Sequence, residues 1–428
     1  MLKNSAFLIL AFFCTAHAEF SGRVRGEGQL FLDKQIGSAP QGEAALNLEA
    51  EEHLALDETW KLKIEPRVRV SSVPHMADSF DGDMRDTLIE KKFRGLRVQA
   101  GSFLKVWEGT DGLNPMDIAS VRNYRDPLNA DSIASVGVNA SYNFAEGWTI
   151  EALYVPWQTP TRLPGDNSPW WPRKTSLPVE VQNTQLLLPS GAPAVQIDHH
   201  ETLNSALKDN AGGRLQYHAE TWDASAAMFE GAAQIPIFQP ILNGDLVESS
   251  PKTIIQLRNP VEVRPIEYRR RTWAAAGSKT LGSWIIRVAG RYDQPIGNEP
   301  LVPGWSEEIV GGFEHSFSVR SQNLTFVSEY AYEDQAPVTT SILASPDPFR
   351  RALLVGLRAP VTDDLLFFLS GIVDTEKGSS LARLNVTEKF GGHWSVGGTA
   401  EWLRGTDDTL LGLWKSQSRV AVNGTYQF

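Results

Sequence analysis

Lys61, Lys63, Arg67 and Arg69 fall at alternate positions of one short stretch, with Glu65 between them. On an extended chain residues spaced by two share a face, so these four form a ladder of fixed positive charge. Arg97 and Lys105, and later Arg287 and Arg291, keep the same even spacing within other alternating stretches. On a water-filled wall such charges draw anions in and hold cations off. They can equally pair with Glu49, Glu51 and Glu65 and brace the wall, and the sequence leaves both roles open. A second group, Asp111, Asp117, Arg122, Arg125 and Asp126 with Asp131 beyond, lies in a non-alternating segment, 109–134. Folded inward, that segment makes a constriction of mixed charge; left outside, it is a surface loop organised by the Asn114-Pro115 turn.

Other chemistry finds little footing. Asp198-His199-His200-Glu201 are adjacent in sequence and lack the separated ligands of a metal site, so no metal or other cofactor is expected. There is no Gly-x-Ser-x-Gly elbow, no His-Glu-x-x-His and no phosphate-cradling glycine loop before a helix. The chain is therefore not expected to be an enzyme. A net charge of -11 argues against a protein that binds nucleic acid through its phosphates.

The elements that must carry these residues alternate apolar and polar positions along almost the whole chain after residue 19. Trp284-x-Ile286-x-Val288-x-Gly290-x-Tyr292 and Trp394-x-Val396-x-Gly398-x-Ala400-x-Trp402 are clear cases. Aromatics end the apolar faces and small or aliphatic residues fill their middles, which suits a lipid-facing band between two aromatic girdles and does not suit a soluble sandwich. Connections are sorted by length: short near 57, 94–95, 146–147 and 281–282, long between, up to about fifty residues for 159–209. The fold class expected is all-β, a transmembrane antiparallel up-and-down β-barrel of about 18 strands, within a range of 16–18. Expected strands include 84–93, 96–108, 263–280 and 412–428. Residues 19–428 form the barrel domain, and 1–18 read as a signal peptide: Lys3, the apolar run Ala6 to Phe13, then Ala16-His17-Ala18. Phe13 is too bulky for a lipobox around Cys14, the one cysteine, and cleavage after Ala18 discards it. A content of 42% hydrophobic residues fits a barrel in which only alternate strand positions meet lipid.

Two resemblances add to this reading. The final strand, with Val420, Val422, Gly424, Tyr426 and Phe428 on one face, resembles the terminal signal read by the outer-membrane insertion machinery. The stretch from Leu96 to Asp126 carries Trp107, Gly109, Asp111, Asn114-Pro115, Asp117 and Arg125-Asp126. It resembles a W-G-x-x-D-x-x-N-P-x-D signature of porin-like outer-membrane barrels of uncharacterised families in Gram-negative bacteria, with Glu108 as a departure. The wiring is also similar to eighteen-stranded sugar porins and polysaccharide-export barrels. The resemblance implies an outer-membrane channel for passive diffusion of small hydrophilic solutes, and the ladder leads us to expect anionic ones. An export or lipid- and polysaccharide-assembly barrel with a periplasmic partner, and an outer-membrane hydrolase, are the rivals. Outer-membrane lipids and lipopolysaccharide are the expected surroundings, with an outward member of Arg269-Arg270-Arg271 either meeting phosphates or snorkelling at the rim. Trp170-Trp171 would cap the mouth, stacking on sugars or packing within their own loop. Oligomeric state is not legible.

Overall fold

A computed structural model describes residues 19–33, 35, 40–75, 78–165, 168–171, 180–181, 184–187, 195–197, 205–241, 243–249, 253–258, 261–297, 302–320, 322–336, 350–406 and 409–428. The expected signal peptide and Asp198 to Glu201 lie outside them. Eighteen strands close one antiparallel barrel. In order they are β1 Glu19–Phe31, β2 Gly42–Ala55, β3 Trp60–Ile64 continuing as Pro66–His75, and β4 Asp78–Met84 continuing as Thr87–Phe93. Next come β5 Leu96–Phe103, β6 Ser135–Ala145, β7 Trp148–Trp157, β8 Lys208–His218, β9 Trp222–Ala232, β10 Arg269–Leu281 and β11 Trp284–Ile296. The rest are β12 Ser306–Val319, β13 Gln322–Gln335, β14 Arg351–Pro360, β15 Leu365–Asp374, β16 Ser380–Phe390, β17 Trp394–Arg404 and β18 Arg419–Gln427.

Each strand pairs with its sequence neighbours, and β1 pairs with β18 from Arg23↔Gln427 to Phe31↔Arg419. Backbone hydrogen bonds of 3.0 Å join Gly22 and Phe428 in both directions, which completes the seam. Closure leaves no strand edge unpaired, as a wall facing hydrocarbon requires. The alternation does what it promised. Leu46 and Leu48, Ile286 and Val288, and Val420 and Val422 all stand exposed on the outer face. At the short-turn end aromatics touch along the rim, Trp148 to Tyr217 and Tyr217 to Trp222 at 4.7 Å, and Trp394 to Tyr426 at 4.7 Å. The turn between β4 and β5 places Arg94 and Gly95 at φ 42° and 83°, the left-handed pair that lets a two-residue hairpin follow the strand twist. No described helix is long and apolar enough to cross a membrane.

Four boundaries differ from expectation. The expected strand 96–108 ends at Phe103, where the chain turns off the wall to bury Trp107, so Lys105 and Trp107 belong to the connection that follows. β4 starts at Asp78, not at 84; Phe80, Gly82 and Met84 alternate outward there, a pattern short enough to pass for loop. The expected strand 263–280 splits, because Val261–Ile266 joins a small sheet with Val195–Ile197 and Ile237–Ile241, and β10 starts only at Arg269. The last strand starts at Arg419, after a short helical turn Leu410–Leu413. The two longest connections are tied together, since Thr184–Leu187 also pairs in parallel with Thr253–Leu257.

The main apolar core lies inside the barrel. Trp107, Met116, Ile118 and Ala119 pack on Leu153, Val155, Ala227, Phe229, Ala274 and Ala289 of the wall. Six of these ten come from strand positions that face inward, where a water-filled pipe would carry polar groups.

Candidate functional site

The segment 104–134 between β5 and β6 enters the lumen and crosses it. Trp107 is fully buried and its indole N–H donates to Glu151 Oε2 of β7 at 3.1 Å. Asn114 Nδ2 donates to the Trp107 carbonyl at 2.9 Å, and Asn114 Oδ1 accepts from the Met116 amide at 3.2 Å, so the Asn-Pro turn folds the segment back on itself. Gly109 is required by the fit: a Cβ there would stand 3.0 Å from the Ala276 Cβ and 3.2 Å from that of Ala289. The far point of the crossing reaches β13. Glu329 is buried, and its carboxylate accepts from the amides of Asp111, Gly112 and Leu113 at 2.8, 3.0 and 2.9 Å. Beside it Arg287 of β11 pairs with Asp111 at 2.7 Å and with Glu314 at 3.3 Å.

The return half is held by charge. Arg125 pairs with Asp81 of β4 at 2.5 Å, and Arg162 from the next long connection meets the same carboxylate at 2.8 Å. Arg67 of β3 joins Asp83 at 2.6 Å and Asp131 at 3.1 Å. Asp126 caps the turn Pro127–Asn129 through the Leu128 amide and takes Arg419 of β18 at 2.7 Å. Burial disfavours the charged form of Asp126, yet Arg419 and Asn129 outweigh it and hold this carboxyl below its ordinary range. Arg419 also binds Glu401 at 2.5 Å, and Arg383 takes the other oxygen of Glu401. Asp117 is buried against Arg122, and Gln234 binds its carbonyl.

The five expected constriction residues are thus in one inward segment but not in one ring. Asp111 touches β11 and β13, Asp117 and Arg122 pair within the segment, Arg125 ties to β4 and Asp126 to β18.

The basic ladder divides in two. Arg67 and Arg69 are consumed by acids, Arg69 by Glu27 and by Glu43 at 3.2 Å. Arg291 pairs with Glu308 at 3.0 Å and Asp293 at 3.4 Å. Lys61, Lys63, Arg97 and Lys105 instead line one chamber of about 450 Å³ at the short-turn end, with Lys92, Asp86 and Glu90, over Leu88, Phe103 and Leu104. Within it Lys63 pairs with Glu65 at 2.9 Å and Glu51 at 3.0 Å, Arg97 with Glu90 at 2.5 Å, and Lys105 with Glu151. Lys61 is exposed and has no ion-pair partner among the described residues.

Alternation alone misses Asp81 and Asp83, because 78–83 reads as a connection; placed on β4 they stand directly opposite Arg69 and Arg67. It also misses Arg162, which no pattern marks. The inward alanines at 227, 274, 276 and 289 carry a signal that this reading leaves unused: apolar residues on a face expected to be wet mean that something covers them. Trp170 and Trp171 are both buried, Trp170 against Phe31, Leu403, Leu411 and Trp414, so they pack and do not stand free at the mouth. Of the arginine run, Arg270 points inward to Asp293 at 3.0 Å, and Arg271 faces outward beside Trp273, paired with Glu230 at 2.7 Å.

No protein-family profile matches the chain, and no curated protein does. Solved structures do match. OccAB3 of Acinetobacter baumannii superposes with a TM-score of 0.56 at 10% identity, over 97% of this chain and 100% of that one. OccK2 (OpdF) of Pseudomonas aeruginosa, in complex with glucuronate, gives 0.55 at 9% identity over 96% and 98%. A BenF-like porin of Pseudomonas fluorescens Pf-5 gives 0.54 at 8% identity over 96% and 97%. At such identities the likeness is one of fold, and the chain has the fold of these barrels, a closed antiparallel barrel of 18 strands.

Proposed function

We propose that the chain is an outer-membrane, porin-like channel for passive diffusion of small hydrophilic, anionic solutes, exported by residues 1–18 and not an enzyme. The observation that carries this reading is a lipid-compatible barrel whose lumen is narrowed by one inward segment and opens below it into a basic-lined chamber. Such a segment converts a wide pipe into a sieve. Fold likeness to a solved porin, and to a barrel crystallised with the anion glucuronate, supports the same reading. In this view the short turns face the periplasm, and Phe428 closes the strand that the insertion machinery reads. The long-loop rim, with Arg271 outward, meets lipopolysaccharide.

The anion preference rests on Lys61 and its neighbours Lys92 and Arg97, the accessible charges of the chamber, and not on Arg67 and Arg69, whose charge is cancelled. Single-channel recording in planar bilayers under a potassium chloride gradient tests it. A conducting protein with a reversal potential on the chloride side is expected. Absence of conductance overturns the channel, and cation selectivity overturns the anion preference.

A further inference from the structure

The contact between β13 and the crossing segment has an unusual form for a wall and its loop. Three consecutive amides, those of Asp111, Gly112 and Leu113, converge on one carboxylate, with both oxygens of Glu329 used. Runs of N–H groups aimed at one point are an anion seat, and here the anion is supplied by the wall itself. Arg287 stands at the edge of the seat through Asp111, so the acid of the segment is neutralised from the wall while the acid of the wall is neutralised by the segment's backbone. Among the described residues the wall thus holds this tip by two side chains, Glu329 on its three amides and Arg287 on Asp111, and only Glu329 binds the backbone. Gly112 fits there because it has no side chain: a Cβ would stand 2.7 Å from Leu354 Cδ1 and 3.0 Å from Glu329 Oε2.

We infer that Glu329 is the positioning residue that fixes the width of the passage, by seating the tip Asp111 to Leu113 against the far wall as a carboxylate in a three-amide seat. The inference rests on the channel reading for its consequence, and on hydrogen bonds alone for its geometry. Chemistry separates this role from simple bulk. The change Glu329→Gln keeps the size of the side chain but leaves it a single acceptor oxygen, and the new N–H₂ group faces a backbone donor, so an isosteric change must unseat the tip. A small carboxylate such as acetate fits the space left by Glu329→Ala and can refill the seat.

The test measures hydrogen–deuterium exchange across residues 107–116 in the detergent-solubilised full chain, beside single-channel current. Protected amides at 111–113 are expected in the native protein. Exchange about ten- to hundredfold faster is expected in both E329Q and E329A, the scale of losing hydrogen bonds to a charged group, with strand amides unchanged as proof of folding. Both variants should show larger, noisier conductance, and acetate, at concentrations where chloride has no effect, should restore protection and quiet current to E329A only. Unprotected amides in the native protein, or an E329Q indistinguishable from it, overturn the inference even if the protein conducts. A native protein that protects these amides and conducts nothing keeps the seat and removes the channel reading instead.

Discussion

The two halves of the segment that crosses the barrel are held by opposite physics. Apart from Lys105, paired with Glu151, and the tip Asp111 to Leu113, held by Glu329 and Arg287, the outgoing half, 104–120, lies dry against a wall of Ala227, Ala274, Ala276 and Ala289, with Trp107 and Met116 fully buried between them. The returning half, 121–134, touches the wall through ion pairs: Arg125 to Asp81, Asp131 to Arg67, Asp126 to Arg419. Small residues permit close approach and reward it with dispersion and burial, and that holds the first half at any ionic strength. Ion pairs fix register and direction but carry a desolvation cost, so each is worth most as a constraint on where the chain goes. One half supplies affinity for the wall and the other specifies the path.

Trp107→Ala should break the contrast most severely. A buried tryptophan removed from a packed site costs about 3–5 kcal/mol, and here it also leaves Glu151 without its indole donor. The outgoing half should leave the wall while the barrel persists, seen as fast amide exchange over 104–120 and a large rise in conductance. Next in size is Asp81→Ala. It leaves Arg125, beside Arg162 and Arg69, without its acid, and Arg162 with only Asp83 at 3.8 Å, with a loss of about 2 kcal/mol, the scale of hydrogen bonds to charged groups. Exchange should quicken over 121–134 and not over 104–120. If both variants loosen both halves equally, the division fails.

Much of this was legible from sequence, and the exceptions have physical reasons. Period-two alternation returned the barrel, its strand number and its closure, because a lipid-facing wall tolerates no other pattern. The inward course of 109–134 was open on sequence alone, since polar residues in a connection suit water and a charged lumen equally. Asp81 and Asp83 were hidden by a strand whose outward residues, Phe80, Gly82 and Met84, include a glycine and span only five positions. Arg162 was invisible because its partner is set by tertiary proximity, and Glu329 because its partners are backbone amides, which carry no residue signature.

A smaller effect is expected below the segment, in the chamber that Leu104 and Lys105 at the start of the outgoing half share with β3 to β5. Lys61 is its accessible charge without an ion-pair partner among the described residues. Lys61→Glu changes two unit charges some distance from a passing ion in water, so the anion-to-cation permeability ratio should fall about two- to fivefold by Coulomb's law at high dielectric, measured as a reversal potential. Arg69→Gln should alter it less, because Arg69 is already matched by Glu27 and Glu43. A larger shift from Arg69 than from Lys61 would mean that the paired wall, and not the chamber, selects.

The least effect on the passage is expected from Glu267, which sits at the long-loop rim just before β10, outside the span. Burial pushes its carboxyl up to about 7 from an ordinary 4.5. An acid whose folded value is raised favours the ordered form when protonated, so order is greatest at low pH, is lost as pH rises from about 4.5 to about 7, and is level above that. The structure that should respond is the pairing of Val261–Ile266 with Ile237–Ile241, which continues into Glu267 and Tyr268, whose carbonyl accepts from the Ala233 amide at 2.9 Å. Exchange there, corrected for the intrinsic effect of pH, should quicken over that window in the native protein and not in Glu267→Gln. Protection at 104–134 should stay constant throughout, because neither the alanine wall nor the ion pairs involve this residue; a parallel change in both would show that the rim and the crossing segment move as one body.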